Sequence, residues 1–383
     1  EQELPEVDAL ATIVKVEGMH RIADTFGPIP YVNYGSSSLY DALDLVYNKF
    51  FEELDNAIEV LSNYVNGNVD AKLMSDYDCV YGGDVEKWVK FANTLRLRLA
   101  IRVSYANPTL AEAQAKKSME NMFGFIESKA ERAELSHNSL EYHHPLHEIA
   151  YNFNSGDCRP GATIVAYLNG LNDSRISSYF TAADDGEYHG VRIGITTSNM
   201  SNYQGNKISN LNINRASTPV VWMTAAESFF LRAEGALRGW DMGGTAKSFY
   251  EQGVRMSFEE NNAAGVDDVG SDNYTFSSRV TPAWDDNAGF EAQLERIITQ
   301  KWIANYPDGP EGWSEYRRTG YPEVIPVVRN SSNGTIDTQL QVRRLPYTRD
   351  EKINNASGVA SGISALGGQD TGGTKLWWDK KSR

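Results

Sequence analysis

His143, His144 and His147 stand between Glu141 and Glu148 in the stretch EYHHPLHE, and imidazoles beside carboxylates are the side chains that hold a transition metal. The spacing argues against that use. His143 and His147 are four apart, as on one helical face, but Pro145 lies between them and denies the helix that would align both rings. Neither a metal nor another cofactor is expected. Paired acids occur at Asp184-Asp185, Asp267-Asp268 and Asp285-Asp286, and two acids are what a glycosidase needs, about 5 to 9 Å apart with one kept protonated by burial. All three pairs fall in polar loops, where solvated carboxylates are the ordinary outcome. The sequence carries no GxSxG, no HExxH, no P-loop and no GxGxxG ahead of a helix, so no enzyme is expected.

Binding a sugar asks for less than catalysis. A sugar ring has an apolar C–H face and a polar rim, so an exposed Tyr or Trp can cover the face while Asn, Asp or Arg bond the hydroxyls. Each stack is worth about 1 to 1.5 kcal/mol and each hydrogen bond about 1, which gives micromolar to millimolar affinity for two stacks and a few bonds. Aromatics at helical spacing pack helices together, so the candidates are those in irregular segments. They are Tyr31 and Tyr34 in PYVNYGSSS, Tyr77 and Tyr81 in DYDCVYGG, Tyr203 in an Asn-rich loop and Trp284 in TPAWDDN.

Helices must carry these loops. Leu43, Val46, Phe50, Leu54, Ile58, Leu61 and Val65 recur three or four apart and predict an amphipathic helix with Ser36 to Ser38 as caps. WVKFANTLRLRLAIRVS alternates like a strand from Leu95 to Val103, yet its Leu, Arg and Ala content and the repeat Trp88, Ala92, Leu95, Leu99 favour a helix. A further helix is expected near 110 to 130. MTAAESFFLRAEGALRGW, with Thr224 and Glu227 at capping-box spacing, pairs with TAKSFYEQGVRMSFEE, and FEAQLERIITQKWIANY pairs with PEGWSEYRR. The helices near 39–66 and 84–105 would make a third pair. In the second pair Phe290, Leu294, Ile297 or Ile298, Trp302 and Tyr306 form one stripe, which puts Trp302 in the core, while Arg317 and Arg318 remain to pair with acids such as Glu311 or Glu315.

Residues 136–216 read differently, with six Asn between 199 and 214 and one short helix at ATIVAYLNGL. Asn333-Gly334 could turn a small hairpin. The chain of 383 residues has 51 acidic and 36 basic side chains, a net charge of -15, which repels phosphate backbones and anionic membrane surfaces, so no nucleic-acid partner is expected. No apolar run of membrane-spanning length occurs, and Cys79 and Cys158 are too few for a disulfide framework.

QKWIANYPDGPEGWSEYRRTGYP resembles the signature of the SusD/RagB family, outer-membrane lipoproteins of Bacteroidetes that capture glycans beside a TonB-dependent transporter. HRIADTFGPIPY, WVKFANTLRLRLAIRVS, LNDSRISSYF, MTAAESFFLRAEGALRGW, RRLPYTRDEKINN and KLWWDKK resemble further motifs of that family in the same order. Ser174 stands where the family has Pro, and HHPLHEIAY is similar to a structural loop of the family. Members begin with a lipid-modified Cys and a helical segment ahead of the early motif; neither is evident here, so an N-terminal truncation is expected.

The resemblance implies a mainly α fold, a tetratricopeptide-like superhelix of helical hairpins supporting a loop-rich subdomain with a few short strands. The scaffold would take about 1–135 and 217–320, the loop-rich part about 136–216 and 321–383, within a single domain spanning 1–383. Trp240, Trp377 and Trp378 fall in family motifs and are assigned to packing. The implied function is non-catalytic binding of oligo- or polysaccharide at the outer cell surface, from a lipid anchor, with delivery to a SusC-like TonB-dependent transporter. A helical-repeat protein adaptor is the alternative reading, and a glycoside hydrolase a more distant one.

Overall fold

The computed structural model describes residues 4–135, 144–153, 158–214, 217–263 and 282–381. Within them helices dominate: α1 (Pro5–Phe26), α2 (Leu43–Gly67), α3 (Val85–Arg102) and α4 (Pro108–Glu120) come first. Short α5 (Pro145–His147), α6 (Ala162–Gly170) and α7 (Ile176–Tyr179) follow in the Asn-rich region. Then come α8 (Ala225–Leu237), α9 (Ala246–Glu260), α10 (Phe290–Ala304) and α11 (Gly309–Thr319), and near the end α12 (Arg349–Asn354) and α13 (Ala356–Leu366). Two small antiparallel ladders pair β1 (Ala133–Leu135) with β4 (Val220–Met223) and β2 (Phe180–Thr181) with β3 (Asn210–Leu211). Among the described residues no helix is long and apolar enough to cross a membrane.

The helices pack as consecutive hairpins, α1 with α2, α3 with α4, α8 with α9 and α10 with α11. The pairing of α2 with α3 expected at the N-terminal end is present, and each of the two also has a further partner. α1 is a helical segment ahead of and through the early motif, and α2 packs on it as well as on α3, which packs also on α4. α1 escapes a pattern reading because Glu17, His20 and Asp24 lie on its buried face beside Ile13 and Val16. α2 has the expected stripe, but it starts at Leu43 after Ala42, so Ser36 to Ser38 do not cap it. α3 is the centre: every side chain from Phe91 to Arg102 is buried, as in a helix covered on all sides, which is why its apolar residues show no single stripe. It touches α2, α4 and α8, α8 touches α10, and α1 meets α11, so the stack closes on itself.

The tail returns to this scaffold. Trp378 is fully buried and its indole N–H donates to Asp24 of α1 at 2.8 Å, while Arg344 donates to the Phe26 carbonyl at 2.9 Å. Asn333 and Gly334 do turn the chain, both with φ in the left-handed region, but the flanking segments are irregular and no hairpin forms there. Their carbonyls and amides go to local turns instead, as where Asn330 donates to the Ile336 carbonyl at 2.8 Å.

Candidate functional site

Charges at the family-like motifs are buried and paired. Arg98 of α3 donates to both carboxylate oxygens of Glu227 at 2.9 and 2.7 Å. That use of Glu227 explains why the capping box is only half made: its N–H donates to Thr224 at 3.0 Å, but its carboxylate faces Arg98. Arg102 reaches Glu311 and Glu315, Lys301 donates to Glu311 at 2.9 Å, and Arg318 holds Glu234 and Glu315. Burial alone would raise Glu311, but Arg102, Lys301 and Arg98 around it hold the carboxyl well below the usual range. The same competition takes Glu234 down to about 2, through Arg318 and Arg238. Arg317, expected to meet an acid, instead donates to the carbonyls of Asp24 and Arg343 and lies over Trp313 at 3.6 Å. These groups hold helices together. An acid held ionised by fixed cations is a poor proton donor, so this cluster offers no general acid.

Trp302 is half-buried and does not continue the buried face of Leu294, Ile297 and Ile298. It turns toward α6, edge-on to Tyr167, and sits against Gly312 of α11, where an added Cβ would come within 2.7 Å of its ring. Phe290 at the other end of that stripe is 39% exposed. Trp313 donates its indole N–H to the Val342 carbonyl at 2.9 Å. Trp378 is packing, as expected, and Trp240 and Trp377 are partly buried against the core.

The candidate sugar-stacking rings separate into three groups. Tyr31 and Tyr81 are each only 9% exposed, and their hydroxyls donate to Glu53 and to the Glu131 carbonyl, so they anchor loops and offer no open face, contrary to the sequence expectation. Trp284 and Tyr203 are half-buried, Trp284 lying 5.4 Å from Tyr250. Tyr34 and Tyr77 stand out at 79% and 78% exposed. Asp41 accepts from the Tyr31 and Val32 N–H groups and the Asn33 amide, which fixes the loop carrying Tyr34. Asp78 does the same beside Tyr77, accepting from Val80, Tyr81 and Gly83 N–H and from the Trp88 indole. These two aspartates position the rings, and an Asp within a few residues of a loop Tyr was their only sequence signal. The rings lie on separate loops, Tyr34 on the one before α2 and Tyr77 on the one after it.

His144 caps the short α5 by accepting from the Leu146 N–H, and no group of three or more potential metal ligands occurs among the described residues. Glu141, His143 and Asp267-Asp268 lie outside the described residues. No disulfide joins Cys79 to Cys158.

The model of the family described as "SusD-like: SusD and RagB outer membrane lipoprotein" matches residues 1–379. The chain belongs to this family. A chitin-binding SusD homologue from Flavobacterium johnsoniae is 40% identical, with a TM-score of 0.91 over 98% of this chain and 81% of that one. A SusD homologue from Bacteroides uniformis is 41% identical (TM-score 0.87, 97% and 81% covered), and one from Bacteroides vulgatus 39% (TM-score 0.88, 99% and 80%). No match is found among curated proteins. The SusD-like fold, mainly helical and with few short strands, is the one expected from the motifs, and the motif residues Arg98, Arg102, Glu227, Glu234, Lys301, Glu315 and Arg318 are those of the buried ion network.

Proposed function

We propose that this SusD-like chain binds glycans at the outer surface of the cell without cleaving them, and delivers them to a partner TonB-dependent transporter from a lipid anchor on the outer membrane. The observation that carries the reading is the 40% identity over 98% of the chain to a chitin-binding homologue, which makes chitin oligosaccharides the first ligands to try. Tyr34 and Tyr77 are the stacking rings of this reading, because they combine open faces with loops already fastened by Asp41 and Asp78, so little ordering entropy is lost on binding. As two weak contacts on separate loops, they would each raise the effective ligand concentration at the other when both meet one glycan chain.

Calorimetry against a panel of soluble glycans that includes chitotetraose tests this, with a parallel assay for released reducing ends. Micromolar to millimolar binding without release is the expected result. Failure to bind any glycan, or release of reducing ends that disappears when one carboxylate is substituted, overturns the reading.

A further inference from the structure

A cleft of about 300 Å³ opens where the C-terminal ends of α9 and α10 and the start of α8 meet the Asn-rich region. Its walls bring together side chains from distant parts of the chain: Asn212, Trp222, Glu260, Asn261, Asn262 and Asn305. None belongs to the loops that carry Tyr34 and Tyr77. Asn305 is only 5% exposed, and its side-chain oxygen has no hydrogen-bond partner among the described residues; the hydroxyl of Tyr306, which also lines the cleft, is in the same condition. Buried acceptors and donors left this way cost about 1 to 3 kcal/mol each unless a ligand or water completes them.

Of the charged groups around the cleft, Asp308, Arg132 and Glu227 are paired with opposite charges, while Lys129 meets neutral acceptors. Asp308 accepts from Arg21 at 2.9 Å, Arg132 is paired with Glu134, and Lys129 donates to the Glu259 carbonyl and to Asn262. Glu260 accepts the Ala225 and Ala226 N–H groups at the start of α8, and burial lifts it to about 7, so near neutrality it can either donate or accept. What remains is a wall of side-chain amides with part of their capacity spent, Asn261 donating to the Ser257 carbonyl at 2.7 Å and the Tyr179 hydroxyl at 3.2 Å and Asn212 to the Ser177 carbonyl at 3.1 Å, beside one half-buried indole. The Asn212, Asn261 and Asn305 oxygens can accept from sugar hydroxyls, the Asn262 amide group can donate to them, and an indole face matches C–H groups.

We propose that this seam cleft binds a single neutral sugar unit, free or at the end of a glycan chain, as a site separate from the exposed rings. The inference rests on the glycan-binding reading above and adds a second, enclosed position to it. At about 300 Å³ the cleft lies at the lower end of the usual ligand-pocket range, with room for one sugar ring.

Saturation-transfer NMR with N-acetylglucosamine, glucose, galactose and mannose, titrated singly, tests it on the whole chain, with chitotetraose in parallel. At least one monosaccharide is expected to bind in the millimolar range. Asn305→Leu, close in size but without the amide, is expected to weaken it at least tenfold, whereas Tyr34→Ala with Tyr77→Ala leaves it unchanged. If Asn305→Leu does not fold, Asn212→Leu, which also lines the cleft, is expected to give the same loss. A monosaccharide that binds both cleft variants as it binds the parent, or that is lost with the tyrosines, overturns the site. Binding of chitotetraose with no monosaccharide bound overturns the cleft and leaves the glycan reading standing, whereas no binding of any sugar removes both.

Discussion

Arg318 of α11 holds Glu234 of α8 through two guanidinium nitrogens, at 2.6 and 2.7 Å, with both side chains fully buried. The pair joins hairpins more than eighty residues apart in the chain. Removing Arg318 leaves the buried Glu234 with Arg238 as its cation and takes away this tie between α8 and α11. Arg318→Ala is therefore expected to lower stability by about 3 to 5 kcal/mol, read from urea unfolding; a loss under about 1 kcal/mol would show that the network is not holding the hairpins together.

Glu234 and Glu260 respond to pH in opposite senses. Glu234, held at about 2 when folded against 4.5 unfolded, adds stability above pH 4.5 that drains away as the pH falls toward 2. Glu260, lifted from 4.5 to about 7, binds its proton more tightly when folded, so stability declines as pH rises from about 4.5 through 7. Relative to Glu260→Gln, the parent protein is expected to lose on the order of 3 kcal/mol between pH 4.5 and 8. Parallel stability curves for the two would contradict it.

Gly312 gives Trp302 the space it occupies on α11. Gly312→Ala would bring a methyl group within 2.7 Å of the ring and is expected to cost about 1 to 3 kcal/mol despite the better helix propensity of Ala. An unchanged thermal midpoint would mean that the indole moves away without penalty.

Tyr34→Ala and Tyr77→Ala each remove an exposed ring, so stability is expected to change by less than about 0.5 kcal/mol. Each should weaken chitotetraose binding several-fold if it stacks on sugar. In affinity electrophoresis the double variant should lose far more mobility retardation on a long polymer than either single one. Equal retardation of all three would exclude both rings from the binding surface.

Long apolar stripes such as that of α2 were legible because they depend only on neighbours along the chain. α1 was not, since Glu17, His20 and Asp24 point inward, where partners far along the chain such as Arg98, Arg102 and Trp378 make the buried carboxylates tolerable. The loop tyrosines show the same limit. Tyr31 and Tyr34 share a loop, but Tyr31 turns inward because Glu53, 22 residues on, accepts its hydroxyl. Tyr81 turns in toward a carbonyl 50 residues away, while Tyr77 of the same loop stays out. The walls of the seam cleft come from five stretches of chain, and no local pattern announces such a meeting.

Repeat proteins built from stacked hairpins normally have two exposed terminal units that fray first and can be lengthened or trimmed. Contact between α1 and α11 takes away that freedom. With these two hairpins braced against each other, the helices from α1 to α11 should melt in one step, and curvature that an open array could adjust to suit a partner is here set once by the fold.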